Sequence, residues 1–187
     1  MLLLFSLQGF TAEKSSSLQQ VRNAPWGFCL AYPTEWKAAP LFGGEVTQLL
    51  PVSASQSGGQ PEIRFGAFRN QKNSEPSNVP KSLEEIADDS LDNIKDQMVK
   101  QLKVENQSTK IGGERGLITN ISYDKDGVPW REKHARVRRT DEVIIELQLI
   151  SPASLYSKLE PAFDRMVKSL GPTCLSRSKS TSQSTAK

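Results

Sequence analysis

Four segments between Val104 and Ile150 alternate apolar and polar residues. They cover residues 104–111, 114–123, 130–139 and 143–150. Alternation of this kind indicates strands with one buried face. Gly112 and Gly113 fill the first gap, where a two-residue hairpin turn needs positive φ. The pattern therefore predicts an antiparallel meander of four strands.

The turn at 140–142 sets the register between the last two strands of this meander. If the residues that flank the turn pair with each other, Arg136 lies opposite Glu146 and Ala135 lies opposite Leu147. One face of the pair is then apolar and the other carries opposite charges, which favours this register.

Two apolar stripes at helical spacing accompany the strands. The first covers 83–102, and Ser82 with Glu85 forms a capping box in front of it. The second covers 155–170 and is interrupted by Pro161. A single helical turn is therefore expected first, followed by a helix that begins near Pro161.

A short strand is also expected near the start of the chain, over about residues 27–32. Phe28, Leu30 and Tyr32 alternate and form its buried face. Pro33 lacks the amide hydrogen that a ladder uses, so the strand should end there. Trp36 follows the turn and is placed to fold its ring over the strand end.

Two further strands are expected at 45–50 and 62–69. Phe65 and Phe68 fall on opposite faces of the second of these, which indicates that it is covered on both sides. Two amphipathic helices need a sheet to cover their apolar stripes. The sequence therefore predicts the α+β class, an antiparallel β-sheet with helices packed on both faces.

Three short motifs carry a resemblance to a known superfamily. They are the strand closed by Tyr32-Pro33-Thr34-Glu35-Trp36, the hairpin at 112–113, and the ending Val167-Lys168-Ser169-Leu170. From about residue 26 to 170 the chain resembles the PsbP/Mog-type superfamily, and within it the small bacterial exported members of unknown function. The resemblance implies an α/β/α sandwich. It implies no single function, because the group includes photosystem assembly and stability factors and a Ran-binding partner.

Composition divides the chain into three parts. Residues 1–24 read as a polar leader whose apolar start is either a truncated signal sequence or a sticky segment. Residues 25–171 form the PsbP-like domain, and 172–187 form a Ser/Thr/Lys tail without fixed structure. This tail accounts for the formal net charge of +3, so the rest of the chain is neutral. A neutral body argues against nucleic-acid binding.

The two cysteines, Cys29 and Cys174, leave two alternatives open. They form a disulfide that closes a long loop, or they are two unpaired thiols. No Cys/His ligand cluster is present, so a structural zinc is not expected.

Asp124 and Asp126 resemble the start of a calcium loop, but Gly127 comes too early and a β-turn explains the pattern.

The densest basic run lies on the third strand of the meander. With the aromatic residues beside it, it forms a candidate partner-binding surface of Tyr123, Trp130, His134, Arg136 and Arg138. The alternative interpretation is a charged hairpin that is merely solvated, with His134 as a surface residue. No catalytic motif accompanies His134, so no catalytic residue, cofactor or metal is assigned.

These observations favour a non-enzymatic accessory or protein-binding domain. Its expected location is extracytoplasmic (periplasmic, secreted or in the thylakoid lumen), and it is expected to be a monomer with an unidentified protein partner and peripheral membrane association. A photosystem II extrinsic or assembly factor is the alternative if the source is photosynthetic. A small-ligand carrier or hydrolase is another alternative. It would use Tyr123, His134 and Arg136 in a pocket between helix and sheet.

Overall fold

The computed structural model describes residues 18–23, 26–34, 36–41, 46–51, 61–69, 81–97, 99–140 and 143–172. These residues form nine strands and two helices. In chain order they are β1 (Leu18–Asn23), β2 (Phe28–Pro33), β3 (Trp36–Leu41), β4 (Val46–Pro51), β5 (Glu62–Arg69), α1 (Leu83–Lys95), β6 (Lys100–Ile111), β7 (Glu114–Lys125), β8 (Val128–Arg138), β9 (Val143–Pro152) and α2 (Ala153–Ser169).

Seven of the strands form one sheet in the order β3-β4-β5-β9-β8-β7-β6, and β1 and β2 form a separate pair. Every pairing in both sheets is antiparallel. The predicted α+β class and the antiparallel meander of β6 to β9 are therefore confirmed.

The predicted register of the meander is also confirmed. Arg136 pairs with Glu146, and Ala135 pairs with Leu147. Gly112 and Gly113 form the turn between β6 and β7 with φ values of 59° and 90°. Positive φ at both positions matches a two-residue hairpin turn, which glycine adopts without steric cost.

Helix α1 begins as predicted but ends earlier. The Ser82 hydroxyl accepts from the Glu85 amide at 3.1 Å, and the Glu85 carboxylate accepts from the Ser82 amide at 2.6 Å. The helix ends at Lys95, so the prediction that it continues to Leu102 is wrong. Leu102 lies in β6 instead, within the irregular part of the ladder between the Lys100–Asp124 and Lys103–Ser122 pairs. Met98 lies outside the described residues.

Helix α2 is continuous from Ala153 to Ser169, so the expected break before Pro161 is wrong. A proline inside a helix removes one hydrogen bond and costs about 3 kcal/mol. Burial of Tyr156, Phe163 and Met166 offsets this cost, since a large apolar side chain contributes roughly 1.5 to 3 kcal/mol when it is buried.

Two strands were not predicted. β1 lies in the segment assigned to the polar leader, and β3 begins at Trp36. β1 has few apolar residues, and it is ordered by its pairing with β2. The predicted strand at 62–69 is confirmed, and the other two are shifted by one residue. Residues 1–17 and 173–187, which hold most of the predicted leader and tail, lie outside the described residues.

Neighbouring side chains of one strand contribute to different apolar clusters. In β9, Ile144 packs with α1 residues, whereas Ile145 and Leu147 pack with α2 residues. In β5, Phe65 belongs to the cluster of α2 and Phe68 packs against the cluster of α1. Phe65 and Phe68 of β5 therefore contribute to different apolar clusters. Neither of the two helices has the length and apolar character that a membrane span requires.

The end of α2 is joined to β2. Cys29 and Gly171 exchange two backbone hydrogen bonds of 2.7 and 3.1 Å, and the Ser169 hydroxyl accepts from the Ala31 amide at 2.9 Å. Cys29 is disulfide-bonded, so the unpaired-thiol alternative is wrong for this residue. The only other cysteine of the sequence, Cys174, lies outside the described residues.

Candidate functional site

A cavity of about 500 Å³ lies between the second half of α1 and the sheet. Strands β5, β7, β8 and β9 supply its floor, and α1 and the residues after it supply one wall. The lining residues are mostly polar, and they are Glu62, Arg64, Ser90, Asn93, Ile94, Gln97, Tyr123, Lys125, Trp130, Glu132, His134, Glu146, Gln148 and Ile150.

Glu132 is a buried carboxylate in the floor of this cavity. One of its oxygens accepts the Tyr123 hydroxyl at 2.6 Å, and the other lies 2.7 Å from Nε2 of His134. Burial alone would raise the pKa of Glu132, but the hydrogen bonds from His134 and Tyr123 and the charge of Arg64 hold that pKa below its ordinary value. Glu132 therefore carries its negative charge inside the protein.

Tyr123 is the neutral partner of this carboxylate. Burial raises the pKa of Tyr123 far above its ordinary value, and the adjacent Glu132 charge raises it further. The phenol thus acts as a permanent hydrogen-bond donor. Trp130, half-buried, packs against the same apolar cluster as Tyr123.

Arg136 lies behind the cavity and is fully buried. Its Nη1 donates to the Thr119 hydroxyl at 3.3 Å and its Nη2 donates to the Ser90 hydroxyl of α1 at 3.0 Å. The same Nη2 lies 2.9 Å from Nδ1 of His134. Its Nε lies 2.6 Å from Oε1 of Glu146, in an ion pair whose angle does not meet that of a hydrogen bond. Arg136 therefore connects α1, β7, β8 and β9.

The structure brings three of the five candidate residues together at the cavity, namely Tyr123, Trp130 and His134. Arg136 lies behind them, and Arg138 donates elsewhere, to the backbone carbonyl of Lys81. The interpretation of this face as solvated is wrong for His134 and Arg136, which are 3% and 0% exposed, because α1 packs over them.

Sequence reasoning missed two residues of this network, Glu132 and Ser90, whereas the predicted register had placed Glu146 opposite Arg136. The separation of Ser90 and Arg136 in the sequence gave no signal that they would meet.

Two other basic residues of β8, Lys133 and Arg131, contact side chains of α2. Lys133 lies 2.9 Å from Glu160 and 2.8 Å from Asp164. Burial alone would lower the pKa of Lys133, but its hydrogen bonds to Asp164 and Glu160 raise the pKa above its ordinary value. Arg131 lies over the ring of Tyr156 at 5.7 Å, within cation–π range. The basic side chains of β8 therefore lie on both sides of the strand.

The chemically useful groups of the cavity are engaged with one another. Both oxygens of Glu132 are bonded, and the Ser90 hydroxyl accepts from Arg136 while it donates to the Ile86 carbonyl at 2.9 Å. Over the described part of the chain, no three His, Cys, Asp or Glu side chains come close enough to hold a metal ion. The arrangement is that of a buried hydrogen-bonded charge network beneath a polar cavity.

No protein-family model matches the sequence, and no curated protein matches it either. Several solved structures share its fold. The cyanobacterial PsbP protein CyanoP of Synechocystis is 11% identical with a TM-score of 0.63, and the match covers 88% of this chain and 97% of that protein.

Two other structures extend this likeness to different organisms. The Ran-binding protein Mog1p of Saccharomyces cerevisiae is 11% identical, with 86% and 97% of the two chains covered and a TM-score of 0.56. LpqN of Mycobacterium tuberculosis, which is involved in cell envelope biogenesis, is 13% identical, with 84% and 85% covered and a TM-score of 0.56. At such identities the likeness concerns the fold alone. The chain has the PsbP/Mog-type fold.

Proposed function

We propose that this chain is a non-enzymatic accessory domain that works outside the cytoplasm and binds a protein partner along the edge strand β6. The observation that carries the proposal is the exposure of β6. It spans Lys100–Ile111 at the end of the seven-stranded sheet, and most of its side chains are exposed. Within the described residues it pairs with β7 alone. An edge strand of this length offers backbone groups that an extended partner segment can pair with.

The layering of the domain supports an edge as the docking surface. The clusters of α1 and α2 take alternate residues of β9, such as Ile144 and Ile145. We infer that the two helices cover opposite faces of the sheet in an α/β/α sandwich. The faces are then occupied by the helices, and the two edge strands, β3 and β6, are left for a partner. We favour β6 because it is the longer edge, with 12 residues against 6 in β3.

Other observations support the accessory role. The cavity groups are bonded to one another, which leaves them poorly placed for general acid–base catalysis. Mog1p, which has the same fold, is a Ran-binding protein. Among the residues whose side-chain burial is described, Leu18 is the one large apolar residue that is exposed, which supports a monomer before the partner binds.

The disulfide of Cys29 supports the extracytoplasmic location, because disulfides persist in oxidising compartments. Alkylation of free thiols in cells of the native host tests the proposed location. Cys29 should resist alkylation because it is held in a disulfide, and a freely alkylated Cys29 would contradict the location.

A proline substitution in β6 tests whether the partner binds at this edge strand. The hairpin turn pairs Ile111 with Glu114, so alternate residues of β6, including Ser108, turn their amide hydrogens away from β7. Ser108→Pro removes one outward donor and leaves the β6–β7 ladder in place, because proline is tolerated on edge strands. Ser108→Ala is the matched control, since it keeps the amide hydrogen.

Co-purification from the native host with the tagged wild type and both variants gives the readout. The wild type and Ser108→Ala are expected to retain the same partner, and Ser108→Pro is expected to lose it. Equal recovery of the partner by Ser108→Pro, with an unchanged circular dichroism spectrum, would refute docking at β6.

A second function is favoured by the cavity of about 500 Å³, which is large enough for a small polar ligand. A carrier role predicts that a metabolite extract shifts the NMR signals of Trp130 and His134 at the cavity and leaves the β6 amides unchanged. A protein partner at the edge predicts the reverse.

A further inference from the structure

His134 occupies a position where its protonation state has structural consequences. It is the only histidine of the chain and is 3% exposed at the cavity floor. Its Nε2 lies 2.7 Å from a Glu132 oxygen, and its Nδ1 lies 2.9 Å from Nη2 of Arg136. The ring is therefore held between a carboxylate and a guanidinium.

These two neighbours determine the tautomer. A guanidinium group carries only donors, so Nδ1 of His134 must be the acceptor in its contact with Arg136. The proton then lies on Nε2, which donates to Glu132. The geometry is that of a neutral imidazole. A second proton, on Nδ1, would point at the guanidinium of Arg136 from 2.9 Å and could not be accommodated without a movement of one of the two groups.

Arg136 transmits such a movement to α1. The Nη2 atom that contacts the ring of His134 also donates to Ser90 of α1 at 3.0 Å. One nitrogen serves both acceptors, so it cannot withdraw from the ring and keep its position against Ser90. The apolar face of α1 also packs on the sheet, through clusters that include Leu117 and Ile121 of β7. The ion pair between Arg115 and Glu84 joins α1 to the sheet as well, but both side chains are exposed, and such pairs contribute little.

The ring has an alternative partner once it is charged. Oε1 of Glu146 lies 3.7 Å from Nδ1 and would attract an N–H at that position. The charged groups nearest the ring are Glu132 and Arg136 of β8 and Glu146 of β9. Behind them, Tyr123 of β7 donates to Glu132 and the charge of Arg64 of β5 acts on Glu132, while Thr119 of β7 and Ser90 of α1 accept from Arg136.

We propose that His134 is a pH-dependent latch between α1 and the sheet. The neutral ring accepts from Arg136 and keeps it against Ser90. The protonated ring turns its Nδ1–H to Glu146, displaces the guanidinium and breaks the bond from Arg136 to Ser90. The second half of α1, which forms one wall of the cavity, is then held to the sheet by its apolar contacts without this hydrogen bond. The cavity therefore loosens when the pH falls through the titration of this ring. This inference is independent of docking at β6.

NMR tests the latch directly, because a single histidine gives a single set of ring signals. The imidazole nitrogen shifts at neutral pH should report the Nε2–H tautomer. On acidification, the amide-exchange protection factors of α1 should fall at least about tenfold, since a hydrogen bond to a charged group is worth roughly 1.5 to 3 kcal/mol. The midpoint should follow the ring titration, and α2 serves as the internal control.

Two serine variants complete the test. Ser90→Ala removes the acceptor on α1, so the protection of α1 should be low already at neutral pH and should no longer respond to the ring. Ser157→Ala, at an exposed position of α2, should behave like the wild type.

Four results would overturn the latch. They are an Nδ1–H tautomer at neutral pH, a ring that remains neutral until the protein unfolds in acid, α1 protection that ignores the ring titration, and equal loss of protection in α1 and α2.

Discussion

Arg136 offers the sharpest test of how the buried network contributes to stability. Its guanidinium is fully buried and contacts Glu146, Thr119, Ser90 and His134. Arg136→Met keeps the approximate length of the side chain but leaves the Glu146 carboxylate, with 16% of its side chain exposed, without its cation. Breaking one half of a buried ion pair costs about 3 to 5 kcal/mol. This is a large part of the roughly 5 to 15 kcal/mol that stabilises a typical domain.

Urea unfolding followed by circular dichroism measures this loss as a lower midpoint. Arg139→Met is the matched control, because Arg139 lies just beyond β8 and makes an exposed ion pair of 3.4 Å with Glu114. We expect the control to lose less than about 1 kcal/mol. Arg136→Lys should fall between the two, since an ammonium group can pair with Glu146 but cannot span the other contacts.

A double variant separates charge from packing. Arg136→Met with Glu146→Leu replaces the pair by apolar side chains, which is often nearly neutral for stability. The double variant should therefore be more stable than Arg136→Met alone, and the double-mutant cycle should show strong coupling. If Arg136→Met costs no more than Arg139→Met, the buried network does not stabilise the fold and the reasoning fails.

Three further predictions follow from other parts of the structure. Reduction of the disulfide of Cys29 should lower stability by about 4 to 5 kcal/mol and lower the melting temperature, because a bond to Cys174, the other cysteine of the sequence, would close a loop over most of the chain; a chain without the second cysteine should be insensitive to reductant. The depressed pKa of Glu132 means that its contribution to stability is complete above its ordinary pKa and is lost as the pH falls through the lower folded value. Glu132→Gln should therefore flatten the acid side of the curve of stability against pH, and an unchanged slope would contradict this. Gly112→Ala should destabilise the protein more than Gly113→Ala in thermal unfolding, since both glycines have positive φ but only a Cβ at Gly112 would collide with the carbonyl oxygen of Leu170; equal losses would refute it.

The sheet was predictable where pairing is local. The turn at 140–142 and the alternation beside it were enough to place Arg136 opposite Glu146. The burial of Arg136 and His134 was not predictable from the strand alone. A polar face on a strand normally faces water, and here it is covered by a helix that lies 46 residues earlier in the chain at Ser90.

The predicted end of α1 and start of α2 were wrong for a related reason. The apolar spacing continues past Lys95 to Leu102, so the sequence pattern cannot distinguish a longer helix from a helix followed by a strand. Pairing with β7 decides between them. In α2, the penalty of Pro161 is a local quantity, and the packing that offsets it depends on residues elsewhere in the chain.

The backbone pairing of Cys29 with Gly171 also affects how the chain folds during its synthesis on the ribosome. β2 emerges long before its backbone partner is made, since the residues of the Ser169–Ala31 bond are separated by 138 residues. The β1–β2 hairpin therefore remains without its contacts to the end of α2 while β6 to β9, which are neighbours in the sequence, assemble first. Nascent chains arrested before Gly171 leaves the exit tunnel should contain a folded meander and a protease-sensitive β1–β2 pair.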